Sequence, residues 1–154
     1  MSQGLLFGRE DAGGSAVANV DGGSRGNPGP AGYGVRIERE DGTVVELKDS
    51  LVSATNNVAE YNGLLAALRW AIAHGIERLH VRSDSELLVK QMKGEYRVKN
   101  AGLQPLYEEA RGLVRRIRHV RFEHVRREMN KDADRLANEA MDEAAAKVAG
   151  GSRR

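Results

Sequence analysis

The alternation of apolar and polar positions along the chain changes period near residue 55. Before that point apolar residues alternate with polar ones over 16–21, 33–40 and 43–52. A period of two is typical of half-buried strands, and Asp41-Gly42 is a hairpin turn signal between the second and third runs. The first third of the chain is therefore predicted to form three antiparallel strands.

From Asn56 onward apolar residues recur at helical spacing as far as His74-Gly75, which predicts a helix with Thr55 or Asn56 as its cap. The elements that follow are a strand, two helices, a strand and a last helix capped by Asn130, over 77–84, 85–94, 103–117, 119–125 and 130–147. Strands separated by helices favour parallel pairing.

This order predicts an α/β fold with a five-stranded mixed sheet, three antiparallel strands followed by two parallel ones, and helices on both faces. We expect one domain over residues 16–147, flanked by disordered tails at 1–15 and 148–154. In sheets of this kind, sites form at the carboxyl ends of the parallel strands, where the connections diverge.

Composition narrows the function classes only slightly. The 154 residues carry a net charge of +2 and no cysteine, which excludes disulfides and thiolate metal sites. No run of about 18 apolar residues suggests a membrane helix, so a cytoplasmic protein is the default expectation. A basic segment at 111–127 is equally consistent with a solvated face and with a phosphate-contacting surface.

Four acidic residues are predicted to converge on one edge of the sheet. Asp21 and Asp84 end two strands, whereas Glu60 and Asp134 each lie one turn into a helix. Each has an ordinary structural explanation alone, because carboxylates favour turns, helix caps and first helical turns. Clustered together they would repel one another and raise their proton affinities unless cations were present.

Such a cluster predicts a metal site. Oxygen ligands without cysteine or paired histidines favour a hard ion, Mg²⁺ or Mn²⁺. A carboxylate cage for two such ions is the arrangement used for in-line displacement at phosphorus.

Four segments containing these acids resemble ribonuclease H of type 1, in its short bacterial and archaeal form without a basic protrusion. They read DGGSRGNPGPAGYG, TNNVAEYNGLLAAL, VRSDSELLV and REMNKDADRLANEA, and the resemblance covers about residues 16–146. It implies an endonuclease that cuts the RNA strand of RNA/DNA hybrids and leaves 5′-phosphate and 3′-hydroxyl ends. It also implies two Mg²⁺ ions, replaceable by Mn²⁺, held by Asp21, Glu60, Asp84 and Asp134.

The resemblance further implies a set of substrate contacts. Asn27, Asn56 and Asn57 match contacts to the minor groove and the ribose 2′-hydroxyls, and Thr55 matches a contact to a DNA phosphate. The full predicted set is Gly22, Gly23, Asn27, Thr55, Asn56, Asn57, Ser85 and Glu86. Sugar and phosphate contacts carry no base information, so little sequence preference is expected.

The chain departs from larger family members in two places. The segment before Asp134 is too short for their histidine-bearing loop, so His124 receives no catalytic role, and Arg127, Glu128 and Asn130 are the candidate auxiliary residues. Glu86 stands where larger members often have Gln, which exchanges a groove donor for a negative charge.

Rival functions make different demands on the sequence. A 3′-5′ exonuclease of similar fold would carry Glu where Gly23 stands, and an actin-like ATPase needs a second domain. A non-catalytic binder of hybrid or double-stranded RNA gains nothing from clustered negative charge facing phosphates. The expected partner is RNA/DNA hybrid, with double-stranded RNA as a further substrate to test, and monomer is the default state.

Overall fold

A computed structural model describes residues 14–152, so the predicted tails lie partly outside the described residues. The chain forms five strands and four helices within that range. They are β1 (Ser15–Ser24), β2 (Gly29–Arg39), β3 (Val44–Ala54), α1 (Asn56–Ala73), β4 (Arg78–Ser83), α2 (Glu86–Met92), α3 (Gln104–Val114), β5 (His119–His124) and α4 (Lys131–Ser152). A single 3₁₀ turn, Arg127–Met129, precedes α4.

The strands form one sheet in the order β3-β2-β1-β4-β5. β1 pairs antiparallel with β2, which pairs antiparallel with β3, and β1 also pairs parallel with β4, which pairs parallel with β5. The predicted mixed sheet is confirmed. Because β1, β4 and β5 run in one direction, their carboxyl ends share one edge, and that edge positions the site.

Helices cover both faces of the sheet. Ala18 and Val20 of β1 are fully buried in the core with Leu64 and Leu68 of α1. On the opposite face α4 lies directly on β2, since a Cβ added at Gly34 would lie only 2.4 Å from the Cβ of Leu136. Only glycine permits that approach, which fixes the distance of α4 from the sheet.

Some predicted element ends differ from those observed. The last helix continues to Ser152 rather than ending near 147, past the alanine run at 144–146 and through Gly150 and Gly151 despite their low helix propensity. The third helix ends at Val114 rather than 117, where the backbone tightens and Ile117 N donates to Val114 O. Ser15, predicted to lie in the tail, already belongs to β1.

Two predicted caps have different outcomes. Thr55 caps α1, its hydroxyl accepting from Val58 N at 3.2 Å. The Asn130 side chain is instead directed into the protein, where its Nδ2 donates to Val20 O at 2.9 Å and its Oδ1 accepts from Asn19 at 3.0 Å. This buried amide ties the start of α4 to β1, a role that neighbours in sequence could not reveal.

Within residues 14–152, none of the helices is long and apolar enough to cross a membrane.

Candidate active site

A cleft of about 720 Å³ opens at the carboxyl edge of β1, β4 and β5. All four predicted carboxylates line it, namely Asp21, Glu60, Asp84 and Asp134. They come from the carboxyl half of β1, the residue after β4 and the starts of two helices, and each is partly buried. β1 continues to Ser24 rather than ending at Asp21 as predicted, because its pairing with β2 extends beyond its pairing with β4.

Gly22 brings the first two carboxylates together. A Cβ at this position would lie 2.6 Å from the backbone of Ala59 and Glu60, so the β1 backbone and the first turn of α1 are in direct contact. A side chain here would push the helix away from the strand. Asp21 and Glu60 therefore face the same cleft because glycine stands between them.

The remaining carboxylates are positioned by helix starts. Asp84 follows β4 directly, and Ser85 caps α2 by accepting from Leu88 N at 3.2 Å. Ser85 also hydrogen-bonds the Glu60 carboxylate, which links the two helix starts. Asp134 lies in the first turn of α4, where its backbone N donates to Asn130 O at 3.0 Å. The buried Asn130 thus sets the position of Asp134 relative to β1.

Burial and mutual repulsion perturb the carboxylates. Burial raises the pKa of Asp21 to about 8, helped by the charge of Asp84 and by a hydrogen bond with Asp134. Burial likewise raises the pKa of Glu60 to about 7, against the hydrogen bond from Ser85 and with a contribution from Asp84. Asp21 and Glu60 therefore favour their protonated forms near neutrality, and a bound cation would stabilise the ionised forms instead.

The pKa of Asp84 is subject to opposing effects. Burial raises its pKa, whereas the nearby Arg127 and, more weakly, His124 oppose that rise. His124 is exposed at the end of β5, paired in register with Ser83. His124 received no role from the sequence because it does not lie on a loop like the histidine of larger family members. The parallel pairing of β4 and β5 nevertheless places His124 at the same edge of the sheet as Asp84.

The donor set suits a hard divalent cation, because the cleft offers four carboxylates together with amide and hydroxyl oxygens, and one exposed imidazole. Among residues 14–150, no three acidic or histidine side chains are already arranged closely enough to hold a metal ion. Asp21 interacts by charge with both Asp84 and Asp134. The residues fit the cation by chemistry and by shared location.

The structure divides the predicted substrate contacts into two groups. Five of the eight line the cleft, namely Gly22, Gly23, Asn56, Asn57 and Ser85. Asn27 and Thr55 lie outside the cleft lining and stabilise the start of α1. The Asn27 Oδ1 accepts from Asn56 N at 3.0 Å, and Thr55 caps the helix. Glu86 is exposed outside the cleft lining and lies 3.6 Å from the Nζ of Lys90.

The three auxiliary candidates lie in different places relative to the cleft. Arg127 lines the cleft, Glu128 is exposed outside its lining, and Asn130 is the buried tether described above. The remaining cleft residues were not individually predicted, although three of them lie in the basic segment at 111–127 that was consistent with a phosphate-contacting surface. They are Ser24, Arg25, His124, Val125, Arg126, Asn138 and Met141.

Comparison with known proteins decides the family. Residues 19–140 match the family described as reverse transcriptase-like. Ribonuclease HI of Halobacterium salinarum is 42% identical over 135 residues, which cover 87% of this chain and 68% of that protein. The chain belongs to the ribonuclease H family.

A second relative is similar to this chain in both sequence and structure. The bifunctional protein Rv2228c of Mycobacterium tuberculosis is 48% identical over 135 residues, 86% of this chain but only 37% of that protein. The structure of its N-terminal RNase H domain superposes with a TM-score of 0.84 at 47% identity, covering 88% of this chain and 99% of that one.

A ribonuclease H family member from compost, LC11-RNase H1, was solved in complex with an RNA/DNA hybrid. It superposes with a TM-score of 0.78 at 39% identity, covering 84% of this chain and 99% of that one.

Proposed function

We propose that this protein is an endonuclease that hydrolyses the RNA strand of RNA/DNA hybrids and leaves 5′-phosphate and 3′-hydroxyl ends. The observation that carries the proposal is the convergence of Asp21, Glu60, Asp84 and Asp134 on one cleft. The hybrid bound to LC11-RNase H1 supports the choice of substrate.

Asp21 is the central ligand in this proposal. It interacts by charge with both Asp84 and Asp134, so it would be the carboxylate that two bound ions share, as the resemblance to ribonuclease H of type 1 implies. Glu60 and Asp84 would complete one site and Asp134 the other. When bound, two Mg²⁺ or Mn²⁺ ions would supply an activated water and neutralise the leaving oxygen.

Recognition of RNA would fall to the asparagines at the start of α1. Asn56 and Asn57 line the cleft, and an amide can both donate to and accept from a ribose 2′-hydroxyl. The Asn56 Oδ1 also accepts from Ser24 N at 2.8 Å, which holds the loop after β1 against the helix. This contact would orient the loop backbone toward the sugar.

Arg127 and His124 would act on the opposite wall. Both are exposed and close enough to Asp84 to oppose the rise of its pKa, so each can also face a substrate phosphate. The Arg127 guanidinium could pair with a phosphate oxygen, and the His124 imidazole could donate a hydrogen bond to one.

The test is cleavage of an end-labelled RNA/DNA hybrid by the purified protein with Mg²⁺, with Mn²⁺ and with chelator. We expect metal-dependent internal cuts in the RNA strand, with 5′-phosphate ends identified by phosphatase sensitivity. Single-stranded RNA and a DNA duplex of the same sequence serve as controls. Binding of the hybrid without cleavage under either metal would favour the rival function, a non-catalytic hybrid-binding protein.

The same assay addresses the remaining parts of the proposal. Double-stranded RNA in parallel reactions tests whether it is a second substrate, and sedimentation of the active sample tests the monomeric state. Cytoplasmic localisation remains part of the proposal and is checked by fractionation of cells that produce the protein.

A further inference from the structure

Arg25 occupies an unusual position on the cleft wall. It lies in the connection between β1 and β2, lines the cleft, and keeps a side-chain exposure of 45%. Its backbone N donates to Pro30 O at 2.8 Å, so the loop is anchored while the guanidinium extends outward.

The guanidinium contacts α4 rather than the carboxylate cluster. One of its terminal nitrogens lies 2.8 Å from the Asp142 Oδ1, and the same nitrogen lies 3.4 Å from the Asn138 Oδ1. Asn138 in turn donates to Asp134 O at 2.9 Å, one helical turn away. Because Asn138 and Asp142 lie four and eight residues beyond Asp134, the Arg25 head group lies roughly one to two turns of α4, about 6 to 12 Å along its axis, beyond Asp134.

The arginines that line the cleft stand on two walls. Arg126 and Arg127 follow β5 on one side, and Arg25 is the arginine on the α4 side. A nucleic-acid strand crossing the carboxylates carries phosphates on both sides of the cut, so positive charge is needed on both walls. The α4 wall offers this charge through Arg25, which is at present paired with Asp142.

The pair with Asp142 is weak enough to exchange. Both side chains are solvent exposed, Asp142 by 67%, and exposed ion pairs contribute little net stability because water and salt screen them. A phosphate offers the planar guanidinium two acceptor oxygens in place of one carboxylate contact. Exchange of Asp142 for phosphate therefore meets only a small opposing free energy.

We infer that Arg25 binds a backbone phosphate of the substrate next to the one that is cleaved, and that Asp142 competes with this phosphate for the guanidinium. Asp142 thus weakens substrate binding and Arg25 strengthens it. This inference rests on the proposed function, because the phosphate belongs to the hybrid.

The alternative is that the pair only fastens the loop to α4. The two explanations predict opposite signs for one substitution. If Asp142 competes with phosphate, Asp142→Asn tightens hybrid binding, whereas if the pair is a fastener, both Asp142→Asn and Arg25→Ala weaken it.

The experiment measures hybrid affinity by fluorescence anisotropy in an Asp21→Asn background, which keeps the substrate intact. We expect Arg25→Ala to weaken binding about 5- to 20-fold, as for loss of a charge-assisted contact that remains partly hydrated. Asp142→Asn should tighten it about 2- to 5-fold. The slope of log affinity against log salt should fall by about 0.9 in Arg25→Ala.

Two controls separate a specific competition from general electrostatics. Asp132→Asn removes an exposed acid from the same helix that pairs with Arg36 at 3.4 Å instead, and should change affinity less than twofold. In the Arg25→Ala background, Asp142→Asn should lose its effect. If Asp142→Asn still tightened binding in the Arg25→Ala background, the inference would be overturned, because the effect would then come from the overall charge of the protein rather than from competition for Arg25.

Unchanged affinity in Arg25→Ala, or weaker binding in both single variants, would also overturn the inference. Cleavage of hybrid by the unmodified protein is measured alongside. Intact cleavage with an unaffected Arg25 variant rejects only the role of Arg25, whereas loss of both binding and cleavage in the unmodified protein rejects the proposed function itself.

Discussion

Helix α4 carries two groups of acidic side chains in opposite environments. Asp134 lies in the cleft with Asp21, while Glu139 and Glu143 lie on the outer surface beside Lys48 of β3, at 3.2 and 2.6 Å. In the outer group, hydrogen bonds from Lys48 and Arg135 lower the pKa of Glu139. In the cleft, burial and neighbouring acids raise the pKa of Asp21 to about 8.

The difference lies in what supplies the opposing charge. The outer acids are neutralised by lysine and arginine of the chain itself, so they are complete without a ligand. The cleft acids have His124 and Arg127 only near Asp84, and Asp21 is left to share a hydrogen bond with Asp134. Unfavourable electrostatics concentrated in one place of a folded chain is typical of a binding or catalytic site.

Removing the central cleft acid should have the largest effect. Asp21→Asn removes the carboxylate that we propose bridges two ions, and a metal contribution of several kcal/mol corresponds to a loss in kcat of at least about 10³-fold. Single-turnover cleavage of hybrid measures it. Glu139→Gln, on the outer face of the same helix, is the matched control and should cleave like the unmodified protein. An equal loss of cleavage rate in both variants would contradict the distinction between the cleft acids and the outer acids.

The same substitution should change how stability depends on pH in chelator-treated protein. Asp21 and Glu60 have pKa values of about 8 and about 7 in the fold, above their ordinary values of 3.8 and 4.5. The folded state therefore binds their protons more tightly than the unfolded state, and stability falls as pH rises through these values.

The check is Tm between pH 6.5 and 9 for the unmodified protein and Asp21→Asn. We expect a steeper decline for the unmodified protein, and Mg²⁺ should reduce that decline by binding the ionised form. Glu139, whose pKa is lowered, titrates below this range and does not contribute. Parallel curves for the two proteins would show that the Asp21 proton is not linked to folding.

Loosening the start of α4 should have an intermediate effect. Asn130→Ala leaves Val20 O without this donor and removes one of the two acceptors of the Asn19 amide, in a site where Asn130 is 1% exposed, which should cost about 1–3 kcal/mol of unfolding free energy. Urea denaturation measures it. Cleavage should also decrease, because Asp134 is held by the same turn. Asn100→Ala, in an exposed loop, is the control and should lose less stability.

Breaking the outer ion pairs should have the smallest effect. Lys48→Gln removes both contacts to Glu139 and Glu143 on an exposed surface, where water replaces them. We expect Tm to change by no more than about 2 °C and hybrid cleavage to stay unchanged. Scanning calorimetry and the cleavage assay test this, and a large loss of activity would mean that the outer group is coupled to the cleft.

The sequence predicted the fold class and the location of the four carboxylates. Strand alternation and helical spacing depend on residues close together in the chain, so they could be recognised locally, as could the place of Asp21 after the apolar run of β1 and of Glu60 one turn into α1. Parallel strands then place Asp84 at the same edge as Asp21.

Other features depended on contacts between distant residues. The inward direction of Asn130, the ion pair of Arg25 with Asp142 and the place of His124 beside Asp84 each join elements at least 40 residues apart or in different strands. The third helix ends at Val114 because the backbone tightens there, and helix ends are in general the least predictable part of an element. The end of α4 at Ser152 has no local signal, since the residues before it include Gly150 and Gly151.

By itself, then, the sequence determined which elements form, because the period of apolar residues selects strand or helix and glycine marks the close approaches. It also determined which acids face a common edge, once the direction of the strands was known. Only the tertiary structure decided which positively charged side chains lie near those acids and which polar groups hold the acids in place. Charge acts through space, so the partner of a side chain is set by how the elements pack rather than by its neighbours in the chain.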